Sequence, residues 1–225
     1  MAELVKLQLE TLFVIDLGGR IRSTREPTAT SGPLFMLIRG MFNCMWAVRT
    51  DVSNGTTVEL NRLAQEELPL SSLREAPLHA DRYQSLLGGH VRSGPAFTFP
   101  QTIPQPAGVF LVENEQLLDR HFTGWTPGEI RAGRAPMMVV MDHGIPVSVC
   151  FCARRSRVAA EAGVETAAGY RGQGFAPRVT AAWAWAVRAS GRIPLYSTDW
   201  SNEPSMAVAR KLGLEVYAVD WSISD

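Results

Sequence analysis

Chemistry in this chain is most legible where two glycines and an arginine separate a strand-like run from a helix-like one. In GVETAAGYRGQGFAPRVTAAWAWAV, the separating residues are Arg171, Gly172, Gln173 and Gly174. A helix start carries unpaired N–H groups and a partial positive charge, so glycine at that point lets an anion approach bare backbone. The same two glycines would also serve as plain turn punctuation, and their spacing alone does not decide between the two. No Lys-Ser/Thr pair follows the turn and the GxGxxG spacing is absent, which removes the common nucleotide loops. Pro177 falls in the first helical turn, where its missing N–H costs nothing. Upstream, Glu161 and Glu165 lie four apart on a strand-like run and therefore share a face, either as a working pair of carboxylates or as solvated strand residues.

These residues need elements to hold them. Residues 1 to about 93 show strand-like runs at LFVID, PLFMLIR and MWAVRTDV, then helical spacing in TTVELNRLAQEEL and LHADRYQSLLGGHV. SGPAFTFPQTIPQPAG holds Pro95, Pro100, Pro104 and Pro106, which reads as an extended connector with a boundary near residue 107. Beyond it, GVFLVE reads as a strand and NEQLLDRHF as a helix capped by Asn114. APMMVVMDHGIPVSVCFCAR reads as a hairpin turning at Asp142 to Gly144. AAEAGVET is a strand, residues 175 to 189 a helix stopped by Gly191, and IPLYSTDW a strand. Asn202 to Lys211 is a helix closed by Gly213, and LEVYAVDWSI is the last strand.

Composition narrows the function classes. Twenty-two basic residues balance 22 acidic ones and no Lys/Arg run occurs, so neither a nucleic acid nor an anionic membrane is an expected partner. The N-terminal stretch has acids within its apolar residues and no small-residue cleavage site, and no apolar run reaches spanning length; the expected compartment is cytoplasmic. Cys44, Cys150 and Cys152 lack metal-ligand spacing, no metal is expected, and the last two would point to one face of a strand as small core fillers. His79, His90, His121 and His143 are expected to be structural. Trp183 and Trp185 lie about 200° apart on a helix, so one packs into the core and the other faces a partner or lid. Trp200 reads either as an acceptor-pocket wall or as a buried aromatic.

YRGQGFA resembles the acetyl-CoA pyrophosphate loop of the GNAT N-acetyltransferase superfamily: Arg171, Gly174 and Ala176 stand at its three pattern positions. The second signature of that superfamily is matched by NEPSMAVARKLGL, with Asn202, Ser205, Lys211, Leu212, Gly213 and Leu214. The resemblance covers residues 108–225. It implies an α/β (α+β) fold: a mixed sheet, flanked by helices and splayed between AAEAGVET and IPLYSTDW. Residues 1–107 lie outside the resemblance and read, from their own strand-like and helical runs, as a smaller α+β module preceding it. The resemblance also implies acetyl-CoA as cofactor, with Val164, Glu165 and Thr166 along the pantetheine arm. Arg171, Gly172, Gln173, Gly174, Phe175 and Ala176 would hold the pyrophosphate, and Asn202 and Ser205 would stand nearby.

The implied activity is transfer of an acetyl group to a primary amine, expected to be that of a small molecule, in a chain free to form a homodimer. Such transfer needs a base and a proton for the leaving thiolate. Glu161, Glu165 and Asp199 are the candidate bases or ammonium ligands. Relatives often carry a Tyr acid seven residues after the Asn, where this chain has Ala209. Ser205 would then contact the cofactor, Tyr196 or water stands as the alternative acid, and a non-catalytic acyl-CoA-binding or regulatory module stands as the alternative function. The N-terminal module also has a protein-docking reading, in which it brings a polypeptide amine.

Overall fold

Val5, Leu9 and Leu12 recur at helical spacing, and that stripe lays the first helix, α1 (Ala2–Leu12), against a sheet. The computed structural model describes residues 2–122, 125 and 127–225. After α1 come a short hairpin, β1 (Phe13–Ile15) with β2 (Ile21–Thr24), then β3 (Phe35–Gly40), β4 (Cys44–Val48), α2 (Asn54–Ala64) and α3 (Ala80–Leu87). The chain continues through β5 (His90–Thr98), β6 (Val109–Leu111), β7 (Met138–Asp142), β8 (Ile145–Arg155) and β9 (Ala159–Thr166). It ends with α4 (Phe175–Ala189), β10 (Ile193–Ser197), α5 (Glu203–Lys211) and β11 (Glu215–Ser224).

Nine strands form one mixed sheet in the order β4-β3-β11-β5-β10-β9-β8-β7-β6, with helices on its faces. Among the described residues of this sheet only β9 and β10 run parallel, and they pair over just three rungs, Ile193 with Ala159, Pro194 with Ala160 and Leu195 with Glu161. Past those rungs the chain after β10 bonds to the other neighbour: Thr198 N–H reaches the Pro95 carbonyl (3.3 Å) and Trp200 N–H the Ser93 carbonyl (3.1 Å). β9 keeps its own bonds to β8 as far as Thr166. The expected splay between these two strands is present, and two different partners pulling them apart are its cause.

The sheet crosses the expected boundary near residue 107. β5, before it, lies between β10 and β11, and β3 and β4 extend the same sheet beyond β11. The first six residues of the expected proline connector, 93–98, are therefore strand, with Pro95 opposite Val219 of β11. The expected helix after Asn114 is a single 3-10 turn, Glu115–Leu118, although Asn114 caps it as expected by accepting from Gln116 N–H.

Three packed layers follow from this order. On one face α4 buries Val179, Trp183 and Val187 against Cys150, Cys152, Phe97 and Tyr196. On the other, α1 covers Met36, Ile38, Ala96 and Ala218. Toward the β4 edge, α2 and α3 close over Phe35, Leu37, Tyr83 and Trp221. Cys150 and Cys152 are free and buried, as their spacing implied. Among the described residues no helix is long and apolar enough to cross a membrane, and no group of His, Cys, Asp and Glu is arranged to hold a metal ion.

Candidate active site

A cleft of about 1500 Å³ opens where β9 and β10 part. One wall carries Val164, Glu165 and Thr166 of β9, the loop from Tyr170 to Gly174, and Phe175 and Ala176 of α4. Facing it are Tyr196 and Ser197 of β10, Thr198, Asp199, Asn202, and Ser205 and Lys211 of α5. The N-terminal half supplies the third side with Leu12, Phe13, Thr24 and Met36, together with Asp220 and Ser222 of β11.

The glycine loop has the backbone shape its residue types suggested. Gly172 and Gly174 have φ of 78° and 83°, the left-handed region that side-chain-bearing residues rarely enter, and Gly174 is the N-cap of α4. A Cβ built on either glycine meets nothing within 4 Å, so open space lies over the N-terminal N–H groups of the helix. Arg171 and Gln173 fold back, donating to the carbonyls of Thr166 and Gly169, both at 3.2 Å, and so hold the loop's shape from beneath. Gly174→Val combines a strained φ with a branched side chain in that open space. For a phosphate-bearing ligand seated on this loop, with CoA as the probe, we expect the substitution to weaken binding by at least about tenfold, roughly 1.4 kcal/mol, with the fold retained. Calorimetric titration of the variant checks this, and unchanged affinity would make the loop structural only.

The carboxylates separate in role. Glu165 is exposed on the cleft wall beside the loop. Glu161 is 3% exposed and lies under the cleft surface, where the Ser197 hydroxyl donates to its Oε1 while its Oε2 has no hydrogen-bond partner. Burial pushes its carboxyl above the ordinary glutamate range, and the Ser197 bond opposes that. Ser197 itself lines the cleft, so a proton path from the cleft to Glu161 runs through one hydroxyl. Asp199 is already paired with Arg92 at 2.6 Å.

Tyr196 lines the cleft with its ring buried, and its hydroxyl lies 2.5 Å from the Ser205 hydroxyl. Burial pushes its pKa up to about 12, so the phenol keeps its proton at neutral pH. Asn202 accepts from Ser205 N–H at 3.2 Å, which makes it the N-cap of α5. Ala209 is packed in the core beneath α5 rather than on the cleft. His121, expected to be structural, reaches the cleft and meets the Tyr170 ring edge-on at 5.8 Å. Trp200 lies outside the cleft, beneath the Arg74 guanidinium at 3.9 Å, and Trp185 holds the Ile103 carbonyl with its indole N–H.

Sequence reasoning missed a polar group beneath the N-terminal side. Tyr217 O–H donates to Gln8 Oε1 at 2.6 Å, and Gln8 Nε2 donates to Asp220 Oδ2 at 3.1 Å. The signal was present as one acid in the middle of the apolar alternation of VYAVDWSI.

Comparison with known proteins finds a family-model match over part of the chain. A family model described as GNAT acetyltransferase matches residues 134–218. No curated protein matches the sequence. Among solved structures, a GNAT-family protein from Novosphingobium aromaticivorans is 21% identical, with a TM-score of 0.48 over 59% of this chain and 64% of its own. The chain thus spans under two thirds of that protein. A GCN5-related N-acetyltransferase-like protein from Streptococcus suis is 16% identical, with a TM-score of 0.48 over 85% of this chain and 84% of its own. A GCN5-related N-acetyltransferase from Sphaerobacter thermophilus is also 16% identical, with a TM-score of 0.47 over 99% and 85%.

Proposed function

We propose, from the match of residues 134–218 to the GNAT acetyltransferase family, that this chain moves an acetyl group from acetyl-CoA to the primary amine of a small molecule. The observation that carries this reading is the cleft between β9 and β10 ending at the glycine loop. There, open space over the start of α4 leaves backbone N–H groups for a pyrophosphate.

Acetyl-CoA supplies an acyl group activated as a thioester; the protein's residues bind it and move protons. The N–H groups from Arg171 to Ala176 hold the phosphates. The β9 edge past Glu161, which β10 leaves unpaired, offers backbone from Val164 to Thr166 to the amides of the pantetheine arm. Ser197 accepts the proton that the amine must lose and passes its own to Glu161, whose buried, raised carboxyl is a better acceptor than an ordinary glutamate. Tyr196, still protonated at neutral pH, is the donor for the thiolate that leaves. It supplies an O–H on the cleft surface that Ala209, buried in the core, does not.

A ligand that binds only the folded chain stabilises it by mass action, about 2.7 kcal/mol at a hundred times Kd. For a chain of this size that corresponds to a rise in Tm of roughly 5–10 °C. Thermal unfolding with millimolar acetyl-CoA measures it, and the absence of any shift would sink the reading. Tight CoA binding without transfer to any amine in a broad panel would favour the acyl-CoA-binding regulatory module.

A further inference from the structure

Asp220 stands on β11 and lines the cleft together with Ser222 and Ser224. Its Oδ2 accepts from Gln8, and its Oδ1 is buried with no hydrogen-bond partner. Because Tyr217 donates to Gln8 Oε1, the amide is fixed with its NH2 toward Asp220, so no second donor turns toward Oδ1 from that side. A buried carboxylate oxygen without a donor is costly and calls for a ligand.

The charges around it define that ligand. Of the arginines on this side of the cleft, Arg92 is bound to Asp199 and Arg154 to Glu26. Glu161 is the second acid near Asp220, and its Oε2 also has no partner. Among the described residues, the unpartnered groups at the cleft floor are therefore two carboxyl oxygens, with no free cation set against them. The surrounding wall from the N-terminal half presents Leu12, Phe13 and Met36 beside the hydroxyls of Thr24, Thr30 and Ser31, and Ser222 of β11 adds another hydroxyl.

Resting on the acyltransferase reading, we infer that the acceptor is a cationic amine with a compact apolar body, its ammonium held by Asp220 at the floor of the cleft and its body packed on the N-terminal wall. The 1–107 segment then does more than extend the sheet: α1 orients the acid through Gln8, and α1 and β1 supply the apolar seat. Burial and the neighbouring Glu161 push Asp220 up to about 8, with Gln8 and Arg154 opposing. Tyr217, reached through Gln8, is protonated, since burial raises it well above its usual range. Asp220 thus holds a proton at neutral pH and exchanges it for a bound cation. Binding of a permanent cation should tighten as pH rises toward 8.

The test uses the full chain saturated with CoA and titrated with 2-phenylethylguanidine, charged at every pH used, or with neutral 2-phenylethanol. Wild type should bind the cation at least about tenfold better at pH 8.5 than at pH 6.5, with no such change for the alcohol. Asp220→Asn should abolish the pH dependence, lose at least about tenfold in cation affinity at pH 8.5, and leave CoA affinity within about twofold. A purely structural Asp220 would leave the pH dependence untouched. Should the variant fail to fold, the wild-type pH series still decides. Equal affinity at the two pH values, or no binding of the cation at all, overturns the inference. Asp220-dependent cation binding in a protein that does not bind acetyl-CoA would sink the acyltransferase reading and leave the cation site standing.

Discussion

Glu161→Gln should lower kcat by about 10² or more while leaving acetyl-CoA affinity nearly unchanged, the size expected when general-base help is lost. The substitution keeps the shape of the side chain and its bond from Ser197, and removes only the ability to take a proton. Glu161 is held above its ordinary range chiefly by burial, so it is proton-bound at lower pH and becomes a competent base as pH rises through its raised value. Wild-type kcat should therefore climb on an ascending limb shifted upward from ordinary glutamate, and the Gln variant should lose that limb. Glu165→Gln is the contrast. With strands rising about 3.3 Å per residue, Glu165 lies roughly 13 Å from Glu161, toward the glycine loop. Its loss should chiefly change KM for the cofactor. The opposite pattern in steady-state kinetics would exchange the two assignments, and full activity in both variants would leave Asp199 or water as the base.

What could be read from the sequence was what is locally determined. α4 begins after Gly174 and ends before Gly191, and α5 starts at the Asn202 cap and stops before Gly213, because caps and left-handed glycines act within one turn. The β7–β8 hairpin turns where Asp-His-Gly placed it, with His143 and Gly144 both at positive φ. β5 was hidden because its status depends on partners about a hundred residues away in β10 and further still in β11, and prolines in its segment argued for a connector. The polar group of Gln8, Asp220 and Glu161 was hidden for the same reason, since α1, β9 and β11 meet only through the sheet order. Ser197 carried no motif at all; its role depends on which face of β10 looks at Glu161.

Gly94→Ala should be the most destabilising single methyl in the chain's cleft region, costing about 3 kcal/mol, the upper end for overpacking, and lowering Tm by roughly 6–12 °C. A Cβ at Gly94 would lie 1.7 Å from the Thr198 carbonyl oxygen and 2.8 Å from the Asp199 Cα, far inside contact distance, and both are backbone. Neither can swing aside as a side-chain tip would. Residues Thr198 and Trp200 are bonded to Pro95 and Ser93 on either side of Gly94, so relieving the clash means breaking that attachment. The attachment is what draws the chain after β10 away from β9. Its loss would also displace Thr198 and Asp199 in the cleft wall, so weaker acetyl-CoA binding should accompany the lower Tm. Gly55→Ala in α2 is the control: its Cβ meets nothing within 4 Å, and it should be neutral or stabilise by up to about 1 kcal/mol. Thermal unfolding of the two variants side by side checks the pair. A Gly94→Ala protein with wild-type Tm and wild-type cofactor affinity would mean that the close crossing over β5 is not what keeps β9 and β10 apart.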